Sequence, residues 1–135
     1  MEVPDCPPQQ IAEASAIDAA NVARGILGIA LDFSLESLLT FDDLLRRYLP
    51  HYRADARQLR ENFQFPFPAA MWGSYVGEVL RRRFGGEWVI TAPDGNPELL
   101  LHGRRVSPIA AVARWYETGG AASVAEFVEE VESPS

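Results

Sequence analysis

Apolar side chains recur through most of this chain at the spacing expected of helices. The clearest case is the segment 69–84, whose large apolar side chains fall on one arc when successive residues advance by about 100°. Gly85 and Gly86 follow at once, and glycines at this position commonly end a helix in a left-handed conformation. The pattern predicts an amphipathic helix that runs directly into a strand.

Other helices are predicted from apolar spacing and from residues that cap helix ends. An alanine-rich segment with regularly spaced apolar residues predicts a helix over about 8–27. Ser34 precedes a second apolar period and predicts an N-cap, with helix continuing to about Leu49. Ser107-Pro108 and Ser123-Val-Ala-Glu126 both have the composition of helix starts, so two further short helices are expected.

Two strands are predicted between the third and fourth of these helices. They cover Glu87-Trp-Val-Ile-Thr91 and Glu98-Leu-Leu-Leu-His102, and the intervening Asp94-Gly95 is a strong turn signal. The two strands therefore form a hairpin. Because two strands alone are only marginally stable, this hairpin is expected to pack against the helices.

The segment 51–68 gives two conflicting signals. Ala54 to Phe63 has helical composition, whereas Pro66 and Pro68 favour an extended exit. A short helix is one interpretation, and the alternating Phe63, Phe65 and Phe67 suggest a lid over the core.

These elements predict a single, mainly helical α+β domain of about five helices packed on a small antiparallel β-hairpin. The expected boundaries are an N-terminal tail at 1–7, a globular domain at 8–131 and a C-terminal tail at 132–135. At 135 residues the chain has the length of one domain.

Charge narrows the range of partners. The formal net charge is −7, and all 12 basic residues are arginine. Without lysine the chain cannot form a Schiff base or a P-loop phosphate site. Acidic side chains concentrate in residues 1–50 and 109–135, so nucleic acid is a poor partner and a protein with a basic surface is a better one.

Cysteine and histidine are too few for a predicted metal site. The chain has one cysteine, Cys6, and two histidines, His51 and His102, so neither a disulfide framework nor a structural zinc site is expected, and no cofactor is predicted. The acidic start does not resemble a signal peptide, and charged residues interrupt the apolar stretch from Ile11 to Leu31. A cytoplasmic protein with no membrane contact is predicted.

Asp42 and Arg83 are the most distinctive candidate pair. On a helical projection each lies on the apolar side of its own helix, where an unpaired charge would cost several kcal/mol. The simpler interpretation is a partly buried ion pair, or an Arg83 that satisfies carbonyl groups at its helix end. The functional interpretation is a charged floor beneath a small-molecule or partner cleft.

Three further residues complete the candidate binding set. Tyr75 could converge on a cleft with Asp42 and Arg83. Glu78 is predicted to pair with Arg82 near the rim of its helix, and Trp88 opens the first strand. No arrangement of serine, cysteine or histidine predicts nucleophilic catalysis, and no catalytic residue is assigned.

Several of these motifs together resemble a loose group of small bacterial proteins of unknown function. The motifs are Phe33-Ser34-Leu-Glu-Ser37, Tyr75-Val-Gly-Glu78, Gly85-Gly86-Glu-Trp88 and a helix headed by Pro108. The resemblance covers roughly residues 28–117, and Ser74 stands where that group has glycine or alanine. It implies a fold and supplies no catalytic residue.

Three functions follow as hypotheses. The first is a non-enzymatic protein-binding module of the bacterial cytoplasm, of an immunity or accessory type, that binds a basic partner. The second is a small-molecule-binding protein or enzyme with a cleft around Asp42 and Arg83. The third is a homodimer that buries an aromatic patch around Trp72 or Trp115.

Overall fold

The computed structural model describes residues 8–48, 67–89 and 97–132, which form an α+β fold as predicted. The helices are α1 (Pro8–Val22, continued by a π-helical turn at Ala23–Leu27), α2 (Glu36–Leu39), α3 (41–48), α4 (Phe67–Phe84), α5 (Pro108–Glu117) and α6 (Val124–Glu132). The strands are β1 (Glu87–Val89), β2 (Glu98–Leu101) and β3 (Arg104–Val106).

Helix α4 is the centre of the molecule. Residues 71–80 are buried without exception, and the helix packs against α1 on one side and α5 on the other. The buried side of α1 consists of Ala12, Ala16, Ala19, Ala20 and Ala23. These small side chains allow the two helix backbones to approach closely.

The start of α4 differs from the prediction. Pro68 was expected to enforce an extended chain, but it lies in the first turn of the helix, which begins at Phe67. Proline is tolerated there because the first amides of a helix have no intrahelical acceptor. The predicted helix at 54–63, the position of Phe63 and Phe65, and the Asp94-Gly95 turn lie outside the described residues.

The single helix predicted from Ser34 to Leu49 is two helices. Thr40 has φ −107° and ψ 13°, which interrupts the helix between α2 and α3. The Ser34 hydroxyl accepts the amide of Ser37 at 3.2 Å, as expected of a capping side chain, although Leu35 is the residue that directly precedes α2. Leu39, the last residue of α2 before this break, is 63% exposed.

The sheet has a third strand that the sequence analysis missed. β1 and β2 form the predicted antiparallel hairpin, with Trp88 opposite Leu99, and β3 adds to the other edge of β2 with Leu99 opposite Val106. His102 and Gly103 join β2 to β3 with φ of 49° and 79°. Two successive left-handed residues make a tight hairpin turn whose twist suits antiparallel strands.

Two tryptophans considered for a dimer surface belong to the core. Trp72 is 0% and Trp115 is 1% exposed within one chain. Neither side chain offers the exposed aromatic patch that the homodimer hypothesis requires.

Candidate functional site

Glu78 is the most unusual polar residue in the fold, because its carboxylate is 0% exposed. Arg81 binds both carboxylate oxygens, with Nε 2.7 Å from Oε2 and Nη2 3.0 Å from Oε1. The indole Nε1 of Trp88 donates to Oε2 at 2.8 Å, and Nε of Arg82 lies 3.4 Å from Oε1. The predicted rim pair with Arg82 is therefore the weakest contact of a buried cluster.

This cluster joins three parts of the chain. Arg81 and Glu78 lie on α4, Trp88 lies on β1, and Arg81 also reaches Glu13 on α1, with Nη2 3.3 Å from Oε1. The interactions therefore attach both the sheet and the first helix to the central helix. They form a structural support for the fold.

The electrostatics of Glu78 favour its charged form. Burial raises the pKa of this carboxyl group, but hydrogen bonds from Arg81 and Trp88 and the two positive charges outweigh that effect, so the pKa lies below its ordinary value of 4.5. The same contacts raise the pKa of Arg81. A carboxyl group held in its ionised form by its neighbours is poorly suited to act as a general acid.

A glycine makes room for the Trp88 indole. A Cβ atom added at Gly77 would overlap the six-membered ring of Trp88, which lies against the α4 backbone. Gly73, one turn earlier, faces the backbone of Ile109 on α5 in the same way. The two glycines therefore have a packing function, because each leaves room for a neighbouring element to approach the α4 backbone.

Tyr75 fastens the connection between α1 and α2 to α4. Its buried hydroxyl accepts the amide of Phe33 at 2.9 Å and lies 2.8 Å from the hydroxyl of Ser37. Ser37 donates its only hydroxyl proton to the carbonyl of Ser34 at 2.6 Å, so Tyr75 is the donor in its bond to Ser37. Burial is the main reason that the pKa of Tyr75 is raised above its ordinary value of 10.0.

Phe33 adopts a conformation that is rare for an aromatic residue. Its φ is 61°, which lies in the left-handed region. The ring lies between Tyr75, with centroids 4.8 Å apart, and the Arg82 guanidinium, whose Cζ is 4.1 Å from the ring centroid. These contacts, together with the bond from its amide to Tyr75, hold the residue in place.

Asp42 caps α6 instead of pairing with Arg83. Its Oδ1 accepts the amide of Val124 at 2.9 Å, and its Oδ2 accepts the Ser123 hydroxyl at 2.8 Å and the Ala125 amide at 3.3 Å. Ser123 completes the predicted cap by accepting the amide of Glu126 at 3.3 Å. The negative charge of Asp42 therefore lies at the positive end of a helix.

Arg83 is exposed, contrary to the helical projection. The continuously buried part of α4 ends at Leu80, and Arg83 belongs to the last turn beyond it. The structure thus brings Tyr75, Glu78 and Trp88 together on and beside α4. Asp42 serves a different helix, so the five predicted residues do not form one cleft.

An open pocket of about 230 Å³ lies beside α2 and α3. Neither Asp42 nor Arg83 lines it. Its lining consists of Ile29, Ala30, Leu31, Ser37, Thr40, Asp43, Leu44 and Arg47. The nitrogen Nε of Arg47 lies 3.3 Å from Oδ2 of Asp43, and both side chains are more than half exposed. No local pattern in the sequence indicates this pocket, because it forms where the chain after α1 turns back over α2 and α3.

The comparisons with known proteins give no match: no family model, curated protein or solved structure is significantly similar to this chain. Within the described ranges, no group of three or more His, Cys, Asp or Glu side chains is placed to hold a metal ion. No helix among the described residues has the length and apolar character needed to cross a membrane.

Proposed function

We propose that this protein is a non-enzymatic binding module of the bacterial cytoplasm, of an immunity or accessory type, which recognises a basic protein surface through α6. One observation carries the proposal: three polar candidate residues, Glu78, Tyr75 and Asp42, bind other groups of the fold, whereas α6 directs its charges outward. Glu78, Tyr75 and Asp42 are all engaged in internal hydrogen bonds. These hydrogen bonds give the three side chains a role in holding the fold together.

The exposed face of α6 is acidic. Glu126, Glu129 and Glu130 are exposed, and their spacing of three and four residues places them on one side of the helix. The last turn of α6 contains no basic residue. Like charges at this spacing repel one another, and carboxylates near a helix C-terminus are unfavourable, so a basic partner would relieve both effects.

The rest of α6 holds this face in a fixed orientation. Val124 and Val128 are buried, and the Asp42 carboxylate binds the first amides of the helix. A charged surface on a rigid element needs little ordering when a partner binds.

The alternative, a small-molecule site or enzyme cleft around Asp42 and Arg83, has less support. Such a site would need the Asp42 carboxylate directed into a cavity, but three donors at the start of α6 surround it.

Affinity capture from host lysate tests the proposal. The variant combines Glu126→Gln, Glu129→Gln and Glu130→Gln. A control with the same change in net charge combines Asp18→Asn, Glu36→Gln and Glu87→Gln, all at exposed positions on other elements. The wild type and the control should capture the same basic protein in stoichiometric amount and release it as salt rises, because salt screens exposed charges.

The α6 variant should lose that protein. If the wild type captures no stoichiometric protein, or if the α6 variant captures it as well as the control does, the proposal is wrong.

A further inference from the structure

We propose that the pocket beside α2 and α3 binds a free aliphatic α-amino acid in its zwitterionic form. This inference does not depend on the acidic face of α6, because none of the residues that line the pocket belongs to that helix. Its volume of about 230 Å³ is below the range of about 300–1,000 Å³ found for drug-sized ligands, so a small metabolite is the appropriate size class.

The pocket lining contains both apolar and polar side chains. Ile29, Leu31 and Leu44 provide an aliphatic wall. Ser37 and Thr40 contribute hydroxyl groups, and Asp43 and Arg47 bring one negative and one positive charge. A ligand that matches this lining has a small aliphatic body and a compact polar end.

The two charges select a zwitterion. Arg47 and Asp43 meet through one nitrogen and one oxygen, Nε and Oδ2, at 3.3 Å. That contact leaves the terminal Nη groups of Arg47 available to bind a carboxylate in a bidentate manner. It also leaves Oδ1 of Asp43 available to accept from an ammonium group. Arg47 and Asp43 already neutralise each other, so a ligand with one charge would add a net charge to the site, whereas a zwitterion would keep the site neutral.

The floor of the pocket is already ordered. Ser37 donates to the Ser34 carbonyl at 2.6 Å and accepts from the buried Tyr75 hydroxyl at 2.8 Å. With its proton engaged, the Ser37 oxygen can offer only a lone pair, which suits the ligand ammonium group and not its carboxylate. The ligand ammonium would therefore lie on the side of Asp43 and Ser37.

Titrations followed by NMR amide shifts test this assignment. The probe is L-leucine, and four analogues each lack one feature. Glycine lacks the aliphatic body, isovaleric acid lacks the amine, N-acetyl-L-leucine mimics the last residue of a peptide, and L-leucinamide mimics the first. L-leucine should shift amides of residues 29–47 saturably and bind at least tenfold more tightly than every analogue.

Variants locate the contacts. Asp43→Asn and Arg47→Gln should each weaken L-leucine binding at least tenfold, whereas Asp18→Asn, an exposed change on α1, should leave it unchanged. Asp43 and Arg47 are themselves exposed, so both variants should unfold at the same temperature as the wild type.

Three results would overturn the inference. The first is the absence of saturable shifts with L-leucine up to about 10 mM, a concentration that would detect even weak binding. The second is tighter binding of N-acetyl-L-leucine or L-leucinamide, which would identify a peptide end as the ligand. The third is L-leucine binding that neither pocket variant changes. The α6 variant should bind L-leucine normally, so failure here is distinguishable from failure of the proposed protein partner.

Discussion

Trp88 donates its indole N–H to the Glu78 carboxylate across 2.8 Å, which links the first strand to the central helix inside the core. Because Glu78 is fully buried, its charge is tolerated only through these partners, of which Arg81 is the closest. The Glu78 carboxylate therefore joins α4 to β1 directly, and to α1 through Arg81.

Replacing that carboxylate should destabilise the fold. Glu78→Gln keeps the size of the side chain but leaves Arg81 without its main charge partner. We expect a loss of roughly 2–3 kcal/mol in the free energy of unfolding, below the usual cost of breaking a buried pair because the Arg81 side chain is 21% exposed. Urea denaturation measures this loss. Glu126→Gln, at an exposed position, should change stability by less than about 0.5 kcal/mol, and equal stabilities for the two variants would contradict the assigned role.

The contribution of Glu78 should disappear in acid. Its pKa is lower in the folded protein than its ordinary value of 4.5, so the folded state favours the ionised form. The resulting stabilisation is fully present above pH 4.5 and is lost as pH falls through the lower, folded pKa.

Denaturation of the wild type and of Glu78→Gln at a series of pH values from about 7 to 3 measures this effect. The stability difference between the two proteins should be constant near neutral pH and narrow toward acid. A difference that does not narrow would show that Glu78 contributes through shape alone.

The contact between Gly77 and Trp88 should not tolerate a methyl group. Gly77→Ala would place a Cβ atom within the indole ring, and we expect a loss of about 1–3 kcal/mol from overpacking, together with a change in tryptophan fluorescence.

Gly25 provides the matched control, because it is helical, exposed and has no atom within 4 Å of an added Cβ. Gly25→Ala should stabilise the protein by up to about 1 kcal/mol, since alanine is the better helix former. Thermal unfolding of both variants measures these changes in stability. A Gly77→Ala protein as stable as the wild type would rule out the close approach between Gly77 and the Trp88 ring.

Removal of the Asp42 carboxylate should loosen α6. Asp42→Ala takes away the acceptor of the Val124 and Ala125 amides, and loss of a helix cap typically costs about 1–2 kcal/mol. Hydrogen exchange at these two amides should accelerate more than exchange in α4. The neighbouring Asp43→Ala, whose side chain is 66% exposed, should leave α6 exchange unchanged; faster exchange in that control would mean that the effect is not due to capping.

The sequence by itself determined the elements whose signals are local. The periodicity of 69–84, the Ser107-Pro108 start and the Ser123 cap each depend on neighbours within one or two turns, and the structure shows all three. The β1–β2 hairpin was also predictable from its strand composition. The third strand was missed because Arg104 and Arg105 lack apolar alternation, although the following Val106 pairs with Leu99.

Only the tertiary structure decided what the polar residues do. A helical projection shows which side of a helix a residue occupies, but not where that helix ends relative to its neighbours. Arg83 was therefore placed on the apolar side of its helix, although it is exposed. Asp42 finds its partners 81 to 83 residues away, and Trp88 reaches Glu78 only because Gly77 leaves room for its ring. Such contacts depend on the packing of separate elements, and no local spacing along the chain encodes that packing.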